Sequence, residues 1–92
     1  MEVRFSRHAL EKIQRRNVKV SDIYTTLRFP DDVYEDLEHG TSVAVKKVDA
    51  KFIVLIYRRE DEVVKVITLY YTTKLDRLLK AKLRRGIWKK IE

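Results

Sequence analysis

Phe52-Ile53-Val54-Leu55-Ile56-Tyr57, followed after a polar break by Val63-Val64-Lys65-Val66-Ile67-Thr68-Leu69-Tyr70-Tyr71-Thr72, decides the fold of this chain. The first run is continuously apolar, as a central strand covered on both sides requires. The second is a long run of β-branched and aromatic residues, which suit a pleated backbone. Arg59-Glu60-Asp61-Glu62 between them reads as a polar hairpin loop. A connection this short joins antiparallel neighbours.

Working towards the N-terminus, Asp49-Ala50-Lys51 is a turn and Ser42–Val48 alternates. Val43, Val45 and Lys47 share one face of that strand; Ala44, Lys46 and Val48 share the other. His39-Gly40-Thr41 is a further turn, and Asp32–Glu38 reads as a short edge strand kept soluble by its acids. These four strands form an antiparallel meander. Met1–Phe5 adds a short N-terminal strand. Ser6 is a good N-cap, with Phe5 and Leu10 placed for a hydrophobic staple. The helix it opens runs to about Arg16, buries Leu10 and Ile13, and ends at Asn17, which tolerates the left-handed conformation. Ser21 caps a second helix from Asp22 to about Arg28, with Ile23 and Leu27 as its apolar pair and Pro30 as its stop. The two helices make a helical hairpin. A third helix starts at Lys74, with Leu75, Leu78, Leu79 and Leu83 on one face and Gly86 at its end. Ile87, Trp88 and Ile91 form a tail that folds back or contacts a partner. The expected architecture is a single α+β domain over residues 1–92, a small antiparallel sheet with an N-terminal helical hairpin and a basic C-terminal helix.

Charge is unevenly distributed. Residues 74–92 hold eight Lys or Arg against two acids, which is six of the net charge of +7. Such a local excess attracts polyanions and is the electrostatic footprint of a nucleic-acid binder. Lys74, Arg77, Lys80, Arg84 and Arg85 are the candidate contacts. The 92 residues are 45% hydrophobic and contain no Cys, which excludes disulfides, thiolate metal sites and a cysteine nucleophile. No signal peptide is evident, and Phe52–Tyr57 is far too short to cross a bilayer, so a cytoplasmic protein is expected. The 38% charged residues and few thermolabile side chains match the composition of hyperthermophile proteins.

Ser6-Arg7-His8-Ala9-Leu10 with Arg16-Asn17-Val18 resembles the opening of a family of domains of unknown function, family 4258. Phe29-Pro30-Asp31, Thr41-Ser42-Val43-Ala44-Val45 and Ile67-Thr68-Leu69-Tyr70-Tyr71-Thr72 resemble its later segments, in order. That family looks like a branch of the barnase–EndoU–colicin–RelE superfamily. The resemblance implies a RelE-like fold, with many relatives that are metal-independent ribonucleases or toxins of toxin–antitoxin pairs. Lys12 stands where the family's first helix usually has Arg, keeping the charge without the planar fork that grips phosphate.

His8 is the leading catalytic candidate. In the first turn of a helix the macrodipole disfavours the imidazolium, and a neutral imidazole suits a general base. Lys12 and Arg16 follow at four and eight residues, on the same side of the helix, where they could steady phosphorane charge. Lys46, Tyr57, Arg58, Arg59, Tyr70 and Thr72 are the sheet candidates, with Arg58 or Tyr70 as acid or clamp. Arg58 and Arg59 must point to opposite faces. His39 pairs with His8 only if its turn reaches back over the first helix. No metal-ligand spacing and no cofactor motif is present. Three functions are open: an RNase forming a 2′,3′-cyclic phosphate, with an acidic antitoxin as partner if it is a toxin; a non-catalytic nucleic-acid-binding or ribonucleoprotein-binding module; and a homodimeric assembly protein using Ile87, Trp88 and Ile91.

Overall fold

The computed structural model describes residues 1–91. Strand β1 (Glu2–Phe5) leads into helices α1 (Arg7–Arg15) and α2 (Val20–Arg28). Strands β2 (Asp32–Asp36), β3 (Thr41–Val48), β4 (Lys51–Glu60) and β5 (Val63–Thr72) follow, then helix α3 (Leu75–Arg84) and strand β6 (Trp88–Lys90). The strands form one sheet in the order β1-β5-β4-β3-β2-β6. β2 to β5 make the expected antiparallel meander. The polar hairpin loop is shorter than the sequence implied: β4 continues through Arg58 to Glu60, and only Asp61 and Glu62 turn, with Asp61 at φ 56°.

The sheet is mixed and six-stranded, not an antiparallel meander with one added strand. β1 runs parallel to β5, in register over Glu2–Phe5 with Val63–Val66. No tight turn joins them, so nothing forces the antiparallel direction. At the far side the tail folds back as β6 and pairs antiparallel with β2. Asp32–Asp36 is therefore an interior strand rather than an edge. Its acids meet the tail's lysines: Glu35 stands opposite Lys89, and Lys90 Nζ lies 3.2 Å from Asp32 Oδ1. Trp88 is buried within the molecule, which removes it from the homodimer contact suggested by the sequence.

Two-sided burial of β4 builds two cores. Ile53, Leu55 and Tyr57 face α1 and α2, packing with Ala9, Val18, Ile23 and Leu27. Val54, with Phe52 and Ile56, faces the other way, towards Leu75, Leu78, Leu79 and Trp88. Both sheet faces thus carry helix, in three layers. Some helix details differ from expectation. Leu10 is 49% exposed, and Ala9 and Ile13 carry the buried stripe of α1. Ala9 lets the helix approach the sheet closely, and Leu10 is rotated off that line. Leu83 is 44% exposed because only the first two turns of α3 pack on the sheet. α2 begins at Val20 rather than after Ser21, and its N-cap Lys19 makes no side-chain bond. Tyr71 anchors that end instead: its hydroxyl accepts from Lys19 N–H at 3.3 Å and donates to Asp22 Oδ2 at 2.8 Å.

One irregularity sets the faces of β5. Ile56 pairs with Thr68, but Tyr57 pairs with Val66, so Ile67 is an extra, bulged residue. A bulge reverses the alternation beyond it. Val64 and Val66 before it, and Leu69 and Tyr71 after it, therefore all join the α1/α2 core. Thr68 and Tyr70 turn to the α3 side. Ser6 stabilises this point twice over. Its hydroxyl donates to the Ile67 carbonyl at 2.6 Å and accepts from Ala9 N–H at 3.0 Å as the cap of α1. Ser6→Ala removes both bonds, and urea denaturation is expected to show a loss of about 1–3 kcal/mol; a change within a few tenths of a kcal/mol would contradict this role.

Candidate functional site

Because α3 covers only part of its sheet face, a cleft of about 530 Å³ remains beside it. Its floor comes from β3, β4 and β5, through Thr41, Ile56, Arg58, Ile67, Thr68 and Tyr70. Its walls come from Leu78 and Lys82 of α3 and from Trp88 of β6, and Asp36 and His39 close one end. The strand registers explain the gathering. Asp36 pairs with both Thr41 and Trp88, so these three lie in one row across β3, β2 and β6. Ile56 pairs with both Val43 and Thr68, in the next row.

Asp36 is 4% exposed and organises the β2–β3 turn. Its Oδ1 accepts from the backbone N–H of Glu38 at 2.9 Å and of His39 at 3.0 Å. Its Oδ2 lies 3.0 Å from His39 Nδ1. Burial pushes the Asp36 carboxyl up, but the His39 ring bond and the two backbone bonds together outweigh it and hold the group below the usual range. The other ring nitrogen, Nε2, lies 3.9 Å from Glu38 Oε1, so His39 sits between two carboxylates. The His39 side chain is 62% exposed and stays within reach of a ligand. Arg58 sits beside it, donating to the His39 carbonyl at 3.4 Å.

Trp88 and Tyr34 stack tilted, ring centroids 5.6 Å apart, with Lys82 Nζ 5.6 Å from the Trp88 centroid. Three buried polar atoms have no hydrogen-bond partner among the described residues: Thr41 Oγ1, Thr68 Oγ1 and Trp88 Nε1. All three belong to residues that line this cleft. Native proteins seldom leave buried polar groups unpaired; such groups are points of strain, functional groups or partners of ordered water.

The sequence-predicted residues are spread over both faces of the sheet. Arg58 and Tyr70 line the cleft. Lys12 reaches Tyr70 from α1, its Nζ 5.5 Å from the ring centroid. Burial, with Arg16 and Arg15 nearby, lowers the Lys12 pKa, while burial raises that of Tyr70 and keeps its hydroxyl protonated. His8 and Arg16 are exposed on α1, and His8 has no hydrogen-bond or ion-pair partner among the described residues. His39 does not pair with His8: its turn follows β2, with β3 and β4 between it and β5, on which α1 packs. Tyr57 faces the α1/α2 core. Lys46 points to that same side and donates to the Phe29 carbonyl at 2.8 Å, tying down the end of α2. Lys74, Arg77 and Lys80 ring a separate open depression of about 480 Å³ at the start of α3. Arg84 and Arg85 are exposed at its end.

Sequence reasoning missed Asp36, Thr41, Thr68 and Lys82 as site residues and put His39 aside. The only signals were Gly40 after His39, marking a turn, and a single Trp in a basic tail.

The chain is a small, basic α+β domain with a cleft of ligand size on one face of its sheet. The chain belongs to the family described as domain of unknown function (DUF4258), whose model matches residues 5–78. The matched span holds Asp36, His39, Thr41, Arg58, Thr68 and Tyr70; Lys82 and Trp88 follow it. No curated protein and no solved structure matches the chain. No helix among the described residues is long and apolar enough to cross a membrane.

The Asp36 geometry has a pH signature. Its folded pKa lies below the ordinary value of 3.8, so its contribution to stability is full above that value and is lost as pH falls through the folded pKa. Urea midpoints measured from pH 6 to pH 2 should fall more steeply in the wild type than in Asp36→Asn. Parallel curves would show that the carboxylate is not held as described.

Proposed function

We propose that this protein is a RelE-like, metal-independent endoribonuclease whose active site is the cleft beside α3. One observation carries the reading: a carboxylate-oriented histidine shares a ligand-sized cleft with two cations and a protonated tyrosine. That set matches what cleavage next to a ribose 2′-hydroxyl needs. His39 Nε2 takes the 2′-hydroxyl proton, and the 2′-oxygen attacks phosphorus. Arg58 and Lys82 stabilise the phosphorane charge, with Lys12 adding its field across Tyr70. Tyr70 gives its proton to the departing 5′-oxygen. The products are a 2′,3′-cyclic phosphate and a 5′-hydroxyl.

The base role goes to His39 rather than His8 because His39 lines the cleft and has its ring fixed by a carboxylate. His8, one turn before Lys12 on α1, flanks the site with Arg16. The exposed cations on and flanking α3, Lys74, Arg77, Lys80, Arg84 and Arg85, draw the RNA backbone towards the cleft. If the protein acts as a toxin, an acidic antitoxin would cover this same basic surface. The cationic helix alone also fits a non-catalytic RNA-binding module.

Purified protein incubated with labelled RNA in EDTA should release fragments ending in cyclic phosphate. His39→Ala should cut the rate by roughly 10²–10⁴-fold, the usual contribution of a positioned base. His8→Ala should cost much less. Loss in His8→Ala with retention in His39→Ala would return the base role to His8. RNA bound but uncut by the wild type would favour the binding module.

The basic helix makes a separate prediction. Each of Arg77→Gln, Lys80→Gln and Arg84→Gln should lower the slope of log affinity for single-stranded RNA against log salt by about 0.7. Unchanged slopes would remove α3 from the RNA path.

A further inference from the structure

The sheet ends in two edge strands, β1 and β6, each paired on one side only. A free strand edge is a ready template for another chain. On β1, the Glu2 N–H donates to the Glu62 carbonyl at 3.2 Å and the Ser6 N–H to the Val66 carbonyl at 2.9 Å. Backbone groups alternate sides along a strand, so Glu2, Arg4 and Ser6 bond towards β5. The N–H and C=O groups of Val3 and Phe5 therefore point outward. Side chains alternate between the two faces in the same way. Val3 and Phe5 pack against the α1/α2 core. Glu2 and Arg4 stand on the other face as an ion pair within the strand, their side chains 55% and 68% exposed.

We propose that β1 is a homodimer edge: two copies pair through it, antiparallel, about a two-fold axis, and their sheets join into one. Charge selects the register. Centred on Glu2 or on Arg4, the pairing sets like charges opposite each other, which destabilises it. Centred on Phe5, it runs into Arg7, where the strand has become helix. Centred on Val3, it lets Val3 exchange two backbone bonds with its copy and sets Phe5 opposite Met1. Each Glu2 then stands opposite the Arg4 of the other copy, twice by symmetry. Such opposed residues have Cβ atoms about 4.5–5.5 Å apart, and opposite charges there attract. In this register the chain leaving Phe5 of one copy heads for the exposed turn residues Asp61 and Glu62 of the other, with Arg7 leading. The opposite edge lacks this self-complementarity, because β6 holds Lys89 and Lys90 and no acid. The two-fold axis stands perpendicular to the sheet, so both copies keep α3 and the cleft on one face, and two basic helices form one surface. An interface of four residues a side belongs with transient contacts that bury less than about 1,200 Å².

Sedimentation equilibrium on the purified protein, without RNA, tests this. The wild type should pass from one chain to two between micromolar and millimolar concentration. Arg4→Glu turns two attractive pairs into two repulsive ones and should weaken association by roughly tenfold, as should Glu2→Arg. The double variant, Glu2→Arg with Arg4→Glu, restores opposite charges across the axis and should recover the wild-type association. These side chains are exposed, so all three variants should keep the wild-type melting temperature. Amide hydrogen exchange supplies a second readout. Val3 and Phe5 should become protected as concentration rises, while the amides of β6 stay unchanged. A wild type that remains monomeric at millimolar concentration would overturn the proposal. So would association that survives both single reversals, or a double variant that does not recover it. With no RNA present, either result leaves the ribonuclease reading to its own assay.

Discussion

A strand that is apolar on both faces has to be covered on both faces, and β4 imposes that demand on the whole molecule. Ile53, Leu55 and Tyr57 need one layer, and Phe52, Val54 and Ile56 need another. Burial of a large aliphatic side chain is worth about 1.5–3 kcal/mol, so neither set can be left in water. The N-terminal helices satisfy the first. The second is met by α3 and Trp88 together, because α3 presses only Leu75, Leu78 and Leu79 onto the sheet. The cleft is the remainder of that incomplete cover. It exists because the last turn of α3 leaves the sheet, with Leu83 exposed, and β6 supplies only Trp88 in its place.

Which polar groups enter this remainder is decided by the bulge at Ile67. Without the extra residue, the alternation that buries Val64 and Val66 would carry Thr68 and Tyr70 to the α1/α2 core and expel Leu69 and Tyr71 from it. With it, a hydroxyl and a phenol face α3. Ser6 holds the bulged carbonyl and caps α1 with the same oxygen, so the placement of α1 and the facing of Tyr70 are coupled. Lys12 then meets the Tyr70 ring from α1. At the other end, Asp36 fixes the turn that carries His39 and pairs in register with Thr41 and Trp88. Two separate local devices, a bulge and a carboxylate-held turn, thus aim at one cleft.

Much of the fold was legible in local pattern. Ser6 as a cap, Asn17 and Gly86 at helix ends, both with positive φ, and the meander of β2 to β5 follow from short-range stereochemistry. The parallel pairing of β1 and the existence of β6 were not legible. Both depend on which distant strand offers a free edge, and Trp88-Lys89-Lys90 is too short to show a period. That same strand turned the acids of β2 from an apparent solubilising edge into partners of Lys89 and Lys90. The site was less legible than the fold. Arg58 and Tyr70 could be named because alternation limits which way they point. Asp36 looked like one acid among several, and its burial comes from tertiary closure by β6. The bulge is invisible in Val63–Thr72, where every residue but Lys65 and Leu69 is β-branched or aromatic.

The proposed chemistry requires that ligand enter the cleft between α3 and the sheet. The most direct measurement is a nitrogen–proton correlation spectrum during titration with an uncleavable oligonucleotide. The indole N–H of Trp88 gives a single, separate signal, and Thr41, Thr68, His39 and Arg58 report from the floor and end. These signals should move together and saturate, while those of Ile23, Thr26 and Leu27 on the opposite face stay still. Shifts confined to exposed α3 cations, with the Trp88 indole unmoved, would contradict it and leave the protein with a binding surface and no site.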